Sequence, residues 1–191
     1  MRRERERAER HRLILRTARS IAEAEGWDAV TTRRLAEEID YSQPVLYSHF
    51  AGKREIVAAV AVDGFAELAE ALEHAGPDGA VDAYLGFATA HPALYDAMFA
   101  LATDLPWGTP SAPPPLLAAF EALRRTFGPE DAHTEVAWSA LHGLVTLARS
   151  GRLRPDLDAD RREIVAAAMS RTGGPLRPTG DSNEAPEGER S

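Results

Sequence analysis

Apolar positions recur every three or four residues along almost the whole chain, the spacing of helices with one buried face. Ile14, Ala18, Ile21 and Ala22 form the first such stripe, which stops near Glu25-Gly26, a usual C-terminal punctuation. A second, short helix is predicted from Thr32, placed as a hydroxyl N-cap, with Leu35 and Ile39 turned inward. Asp40-Tyr41 makes a tight turn. Ser42 then caps a third helix with Pro44 in its first turn, where a missing N–H costs little, and Gly52 closes it. A long fourth helix carries Val57, Val60, Ala61, Phe65, Leu68 and Leu72 on one side and ends before Gly76-Pro77.

Helices follow over about 79–91 and 92–102, then a Pro-rich loop, TDLPWGTPSAPPP. Three more cover about 116–127, 131–150 and 160–171. From Thr172 the chain is rich in Gly and Pro with almost nothing apolar, so 172–191 is expected to be a disordered tail. No segment alternates with the period of a strand, and no repeat occurs. The pattern predicts an all-α fold of about nine helices: a small N-terminal module (1–54) on a helical body (55–171).

Composition excludes several classes. There is no cysteine, hence no disulfide framework or thiolate metal site. No apolar run is long enough to span a bilayer, and the charged start MRRERERAERHR has no hydrophobic region behind it, unlike a signal peptide. A cytoplasmic, nucleoid-associated protein is expected. Net charge is −8, which by itself argues against nucleic acid, but the charge is segregated. Residues 1–54 carry 12 Lys and Arg against nine Asp and Glu, whereas residues 55–191 carry 10 against 21. A basic module on an acidic body is what a phosphate-binding domain joined to a non-binding one would give. Arg/Glu alternation in a solvated helix is the plainer alternative.

Three short helices with a tight turn between the second and third describe a helix-turn-helix. On the third, Leu46 and Phe50 share a face that can pack on Leu35 and Ile39. Gln43 with Tyr47 and Pro44 with Ser48 lie away from it. That polar face suits a DNA major groove: Gln43 can bond adenine in bidentate fashion and the Pro44 ring can touch a thymine methyl. Tyr47, His49 and Lys53 would serve phosphates, which position without specifying.

Residues 13–56 resemble the DNA-binding domain of the tetracycline-repressor (TetR) family, through TTRRLAEEI at 31–39, SQPVLYSHF at 42–50 and Lys53. The resemblance implies that Thr32 contacts phosphate and that Arg33 reaches a base or the backbone. It implies that Gln43 and Pro44, beside Ser42 and Ser48, read base edges, while Tyr47, His49 and Lys53 hold the backbone. Asp40 and Tyr41 depart from the Gly and small aliphatic residue usual there. Asp tolerates a left-handed turn, but its carboxylate lies near the DNA path. The partner implied is a palindromic operator in double-stranded DNA, bound by a homodimer.

The segment WSALHGLVTLARSGRLRP at 138–155 is similar to the Trp-His-Gly type of C-terminal domain in the same family. Leu141, Leu144, Val145 and Ala148, with Ile164, Val165, Ala168 and Met169, give two helices whose apolar faces exceed the needs of one small domain; the family pairs its last two helices across the dimer. Tyr84, Phe87, His91, Tyr95, Met98, Phe99, Phe120, Trp138 and His142 cluster along the body and could line a cavity for a partly apolar small-molecule effector, with Trp107 at its mouth. No cofactor or metal is expected. His133 with Glu135 and His91 with Asp96 lack the spacing of a metal pair, and no phosphate loop or nucleophile elbow occurs, so an enzyme is not expected. A sequence-tolerant architectural DNA binder would explain the arginines at 2–19 but not Gln43-Pro44.

Overall fold

Helix α1 (Arg2–Glu25) buries Ile14, Leu15, Ala18, Ile21 and Ala22, the stripe expected of it, yet its arginine-rich first half is helical too. The basic N-terminal arm is therefore the start of α1, supported by i,i+4 pairs such as Arg2–Glu6. The computed structural model describes residues 1–101 and 104–170, with side chains described to 168. The tail expected from Thr172 lies outside the described residues. A 3-10 turn (Trp27–Ala29) leads into α2 (Thr32–Glu38) and α3 (Gln43–Tyr47). The N-cap of α2 is Thr31, whose hydroxyl accepts from the Arg34 N–H at 3.1 Å. Thr32, expected there, is one residue too far along and turns its hydroxyl toward Tyr47 instead, at 3.4 Å.

Asp40 is the only described non-glycine residue with positive φ, at 59°. The Tyr41 N–H donates to the Ala36 carbonyl at 2.9 Å and the Asp40 N–H to the Glu37 carbonyl at 3.4 Å. These crossed bonds satisfy the last carbonyls of α2 and set the angle at which α3 departs. Helix α3 is shorter than expected: it ends at Tyr47, and Gly52 is not its stop but the N-cap residue of α4 (Lys53–Ala90). Leu46 and Phe50 are buried and Ile39 half-buried, as the face analysis requires.

Helix α4 is the spine and packs most extensively on α6 (Pro114–Phe127). It breaks at Gly76 (φ 64°, ψ −177°), directly before Pro77, so its halves 53–75 and 77–90 run as separate helices. Helix α5 (Pro92–Asp96) then passes into one π-helical turn (Ala97–Leu101). A Cβ on Gly64 of α4 would stand 2.7 Å from Met98 Sδ and 2.8 Å from Leu94 Cδ1. The glycine lets this turn lie directly on α4. After α6 come α7 (Asp131–Arg149), a 3-10 turn (Pro155–Leu157) and α8 (Asp158–Ser170). Among the described residues the fold is all-α, with eight α-helices or nine straight segments once α4 is divided. None of these helices is long and apolar enough to cross a membrane.

Candidate DNA-reading helix and effector cavity

On α3 the residues expected to meet bases stand clear of the protein. Ser42, Gln43, Pro44 and Ser48 are exposed, and Tyr47 is 51% exposed. Ser48 spends its hydroxyl on the Val45 carbonyl at 2.6 Å. Arg33 is exposed and lies 3.5 Å from Glu37.

Two expected phosphate contacts sit otherwise. His49 is half-buried against α1, its ring centroid 6.3 Å from that of His11, and its Nδ1 is buried with no hydrogen bond among the described residues. Burial first, then Arg7, His11 and Arg10, lower its pKa, so it is a neutral wall residue, a poor cation for phosphate. Lys53 donates to the Trp27 carbonyl at 2.5 Å and is half-buried, so it closes the 3-10 turn before anything else. Sequence reasoning missed Arg7, whose guanidinium reaches the Ser48 carbonyl at 3.5 Å and so brings the start of α1 beside α3.

Besides the ion pairs Arg19–Glu67 and Arg54–Asp104, the module is tied to the body through α5. Trp27 Nε1 donates to the Ala93 carbonyl at 2.8 Å, and the Glu23 carboxylate accepts from the Ala93 and Leu94 N–H groups, both at 3.0 Å. Glu23 thereby satisfies free N–H groups at the start of α5. Arg149 of α7 grips Asp96 at the other end of α5 through two bonds of 2.8 and 2.9 Å.

Between α4, α6 and α7 lies a cavity of about 410 Å³. Its floor is Phe65, Leu68, Leu116, Ala119 and Leu123, its aromatic walls are Phe99, Trp107, Phe120 and Trp138, and Asp131 and Glu135 stand among the lining residues. Of the nine residues expected to line a cavity, it therefore gathers Phe99, Phe120 and Trp138, with Trp107 beside them as anticipated. Tyr95 and His142 line a second hollow of about 390 Å³ with Asp96, Phe99, Thr146 and Arg149, so Phe99 is a shared wall. Tyr84 is fully buried behind both. Phe87, His91 and Met98 line neither: Phe87 and His91 pack edge to face at 5.4 Å, and Met98 is held under Gly64. The floor was missed because a helix pattern gives the buried face but not which neighbour leaves a gap. Asp131 and Glu135 were legible in principle, since they share a face of α7 with Trp138 and His142.

Behind the wall runs a chain of hydrogen bonds. Trp138 Nε1, a donor only, gives to the Tyr84 hydroxyl at 3.0 Å; Tyr84 and Tyr95 hydroxyls are 2.9 Å apart; and Tyr95 meets His142 Nδ1 at 2.7 Å. Burial pushes Tyr84 up to about 12 and Tyr95 further, so both keep their protons. Burial lowers His142, which favours the neutral ring, and the tautomer with Nδ1 as acceptor gives every hydroxyl of the chain a partner. Every donor in the chain has one acceptor.

The residues expected at a dimer face divide. Leu141 (0% exposed) and Val145 (6%) join Ala137 in a stripe turned into the protomer, which corrects their assignment: they are intramolecular core. Leu144 and Val165 are half-buried, Ala148 and Ala168 are exposed, Ile164 is 65% exposed, and the Met169 side chain lies outside the described ones. Val136 (64%) and Leu147 (42%) are further exposed apolar residues on α7. Among the described residues no cluster of His, Asp and Glu could hold a metal ion.

A short helix, a crossed-bond turn and a third helix with an exposed polar face, on a helical body with an apolar cavity, define a helix-turn-helix regulator. A model of bacterial regulatory proteins of the TetR family matches residues 14–60, and one of tetracyclin repressor-like C-terminal domains matches residues 78–172. The chain belongs to the TetR family and is a DNA-binding transcriptional regulator; the family's members are not enzymes. It is 28% identical over 168 residues to an uncharacterised HTH-type transcriptional regulator of Mycobacterium tuberculosis, covering 77% of this chain and 73% of that one. Tetracycline repressor class C of Escherichia coli is 44% identical over 48 residues, 25% of this chain and 22% of that protein. A solved protein of unknown function from a Rhodococcus species has a TM-score of 0.62 at 29% identity, covering 84% of this chain and 90% of its own. A putative TetR-family regulator from a Shewanella species shares the fold, with a TM-score of 0.56 at 18% identity over 83% of this chain and 95% of its own.

Proposed function

We propose that the protein is a homodimeric repressor that binds a palindromic operator and releases it when a small molecule fills the cavity between α4, α6 and α7. The observation that carries this is the pairing of an exposed Gln43-Pro44-Tyr47 face with an apolar cavity whose wall is mechanically continuous with it. Phe99 belongs to the π-helical turn that prolongs α5; α5 is held by Glu23 and Trp27 of the DNA-binding module. A ligand that displaces Phe99 can therefore tilt the module and change the separation of two recognition helices, provided it binds one spacing better than the other. One helix-turn-helix makes few contacts, and a two-fold pair matches a two-fold site. Val136, Leu147 and Ile164, exposed and apolar on α7 and α8, with half-buried Leu144 and Val165, supply a face for the second copy.

The test is selection of duplexes from a random library followed by light scattering of the complex. The expected product is one inverted repeat carrying whole dimers. An unordered set of sequences bound with equal affinity would instead identify an architectural binder. Ile164→Glu should shift the free protein toward monomer without unfolding it.

A further inference from the structure

The cavity's lining charges are all of one sign. Among the described residues Asp131 and Glu135 are the only ionisable ones that line it, with no Lys, Arg or His beside them. They stand one turn apart on α7, with Trp138 on the same face one turn further. Glu135 makes no ion pair among the described residues. Arg124, which feels Asp131, is already engaged by both oxygens of Glu121 and by the Pro129 carbonyl. The carboxylates are exposed, as are Trp107 and Gly108, whereas Phe65, Leu68, Leu116 and Leu123 are at most 3% exposed. The space is thus a greasy floor under an acidic, aromatic rim.

Of the two indole N–H groups at the cavity, that of Trp107 has no hydrogen bond among the described residues and that of Trp138 is occupied elsewhere. The Trp138 N–H is given to Tyr84, and Tyr95 to His142. The rest of the rim is indole faces and carboxylates, and both attract positive charge. Trp107 and Trp138 stand 5.4 Å apart with planes tilted by 36°, and Phe65 lies edge-on to Trp107 at 4.9 Å. The acidic body adds a long-range field of the same sense.

We propose that this cavity binds an amphipathic organic cation, its apolar part on the Phe65–Leu68 floor and its charge among Asp131, Glu135 and the two tryptophans. The proposal rests on the reading of the cavity as the effector site and adds the class of effector. A cavity of about 410 Å³ falls in the range that takes a drug-sized molecule.

Tetraphenylphosphonium and tetraphenylborate test it, because they have nearly the same shape and apolar surface but opposite charge. Each is titrated calorimetrically into the full-length protein in sodium buffer, with quenching of tryptophan fluorescence as a second readout. The expected result is a preference for the phosphonium of about tenfold, the scale of two exposed cation–π or charge contacts together, weakening with added salt. In Asp131→Asn/Glu135→Gln, both exposed positions that leave the floor intact, the preference should disappear while borate binding holds or rises. Equal affinity for the two ions, or a preference that survives the double substitution, would overturn the cation proposal and leave the cavity as an effector site of another kind. Binding of neither ion would overturn both.

Discussion

The Tyr95 hydroxyl and His142 Nδ1 lie 2.7 Å apart, at the end of a chain in which Trp138 gives to Tyr84 and the tyrosines pass the donation on. The chain runs in one direction only. If His142 were protonated, its Nδ1–H would point at Tyr95, Tyr95 would turn to Tyr84, and the buried Tyr84 proton would lose its acceptor.

Stability should therefore fall on mild acidification. Burial holds His142 below its ordinary value of 6.5, and His49 is lowered as well. A histidine with a depressed folded-state pKa binds fewer protons folded than unfolded, so stability is constant above the ordinary value of 6.5 and is lost as pH falls from there through the folded-state value. Urea midpoints measured between about pH 5 and pH 8 should show this slope. His142→Asn keeps an acceptor and removes the titration, so it should flatten part of it; an unchanged slope would show that His142 does not titrate there.

Trp27→Phe keeps an aromatic ring in place and deletes the bond to Ala93. A loss of about 1 kcal/mol in stability is expected. The sharper expectation is functional: the variant should still bind operator DNA, but effector should release it less completely, because the joint between module and body is loosened. Anisotropy titrations with and without effector check this, and wild-type release would remove Trp27 from the coupling route.

Asp40 holds φ at 59°, a conformation that costs an ordinary residue about 1–2 kcal/mol and glycine almost nothing. Asp40→Gly should therefore raise the urea midpoint. It also removes a carboxylate beside the recognition helix, so affinity for DNA should rise at low salt, and most for non-specific duplex.

Gln43→Ala should cost roughly 1–3 kcal/mol on the operator and relax the choice of base at one position. Equal losses on operator and random duplex would end its base-reading role. Lys53→Ala is a different case. Because one of its three donors closes the Trp27 turn, it should lower stability as well as affinity. If Lys53 also touches phosphate, the salt slope should fall by about one.

The division of α3 into a core face and an exposed polar face was legible because helical period alone decides it: Leu46 and Phe50 must fall together, and Gln43 and Tyr47 opposite. The turn at Asp40 was legible for the same local reason, since only a few side chains accept positive φ. Local rules also erred by a residue where two hydroxyls compete, as at Thr31 and Thr32, and by most of a turn where α3 gives way before Gly52.

What periodicity cannot tell is which buried face meets which. Leu141 and Val145 have the spacing of an interface and of a core alike, and only their packing inside the protomer decided for the core. The aromatic residues of the body form one pool in sequence, but the tertiary structure sorted them. Phe99, Phe120 and Trp138 line the cavity, Tyr84 and Tyr95 carry a hydrogen-bond chain, and Met98 is held under Gly64. His49 shows the same limit, for its motif suggests a phosphate ligand and its burial against α1 makes it neutral. The sequence by itself determined most of the helices, their faces and the exposed polar side of α3, because these depend on neighbours three or four residues away. The cavity, its acidic rim and the Trp27–Ala93 joint depend on residues tens of positions apart, and only the packing of α4 against α5, α6 and α7 decided them.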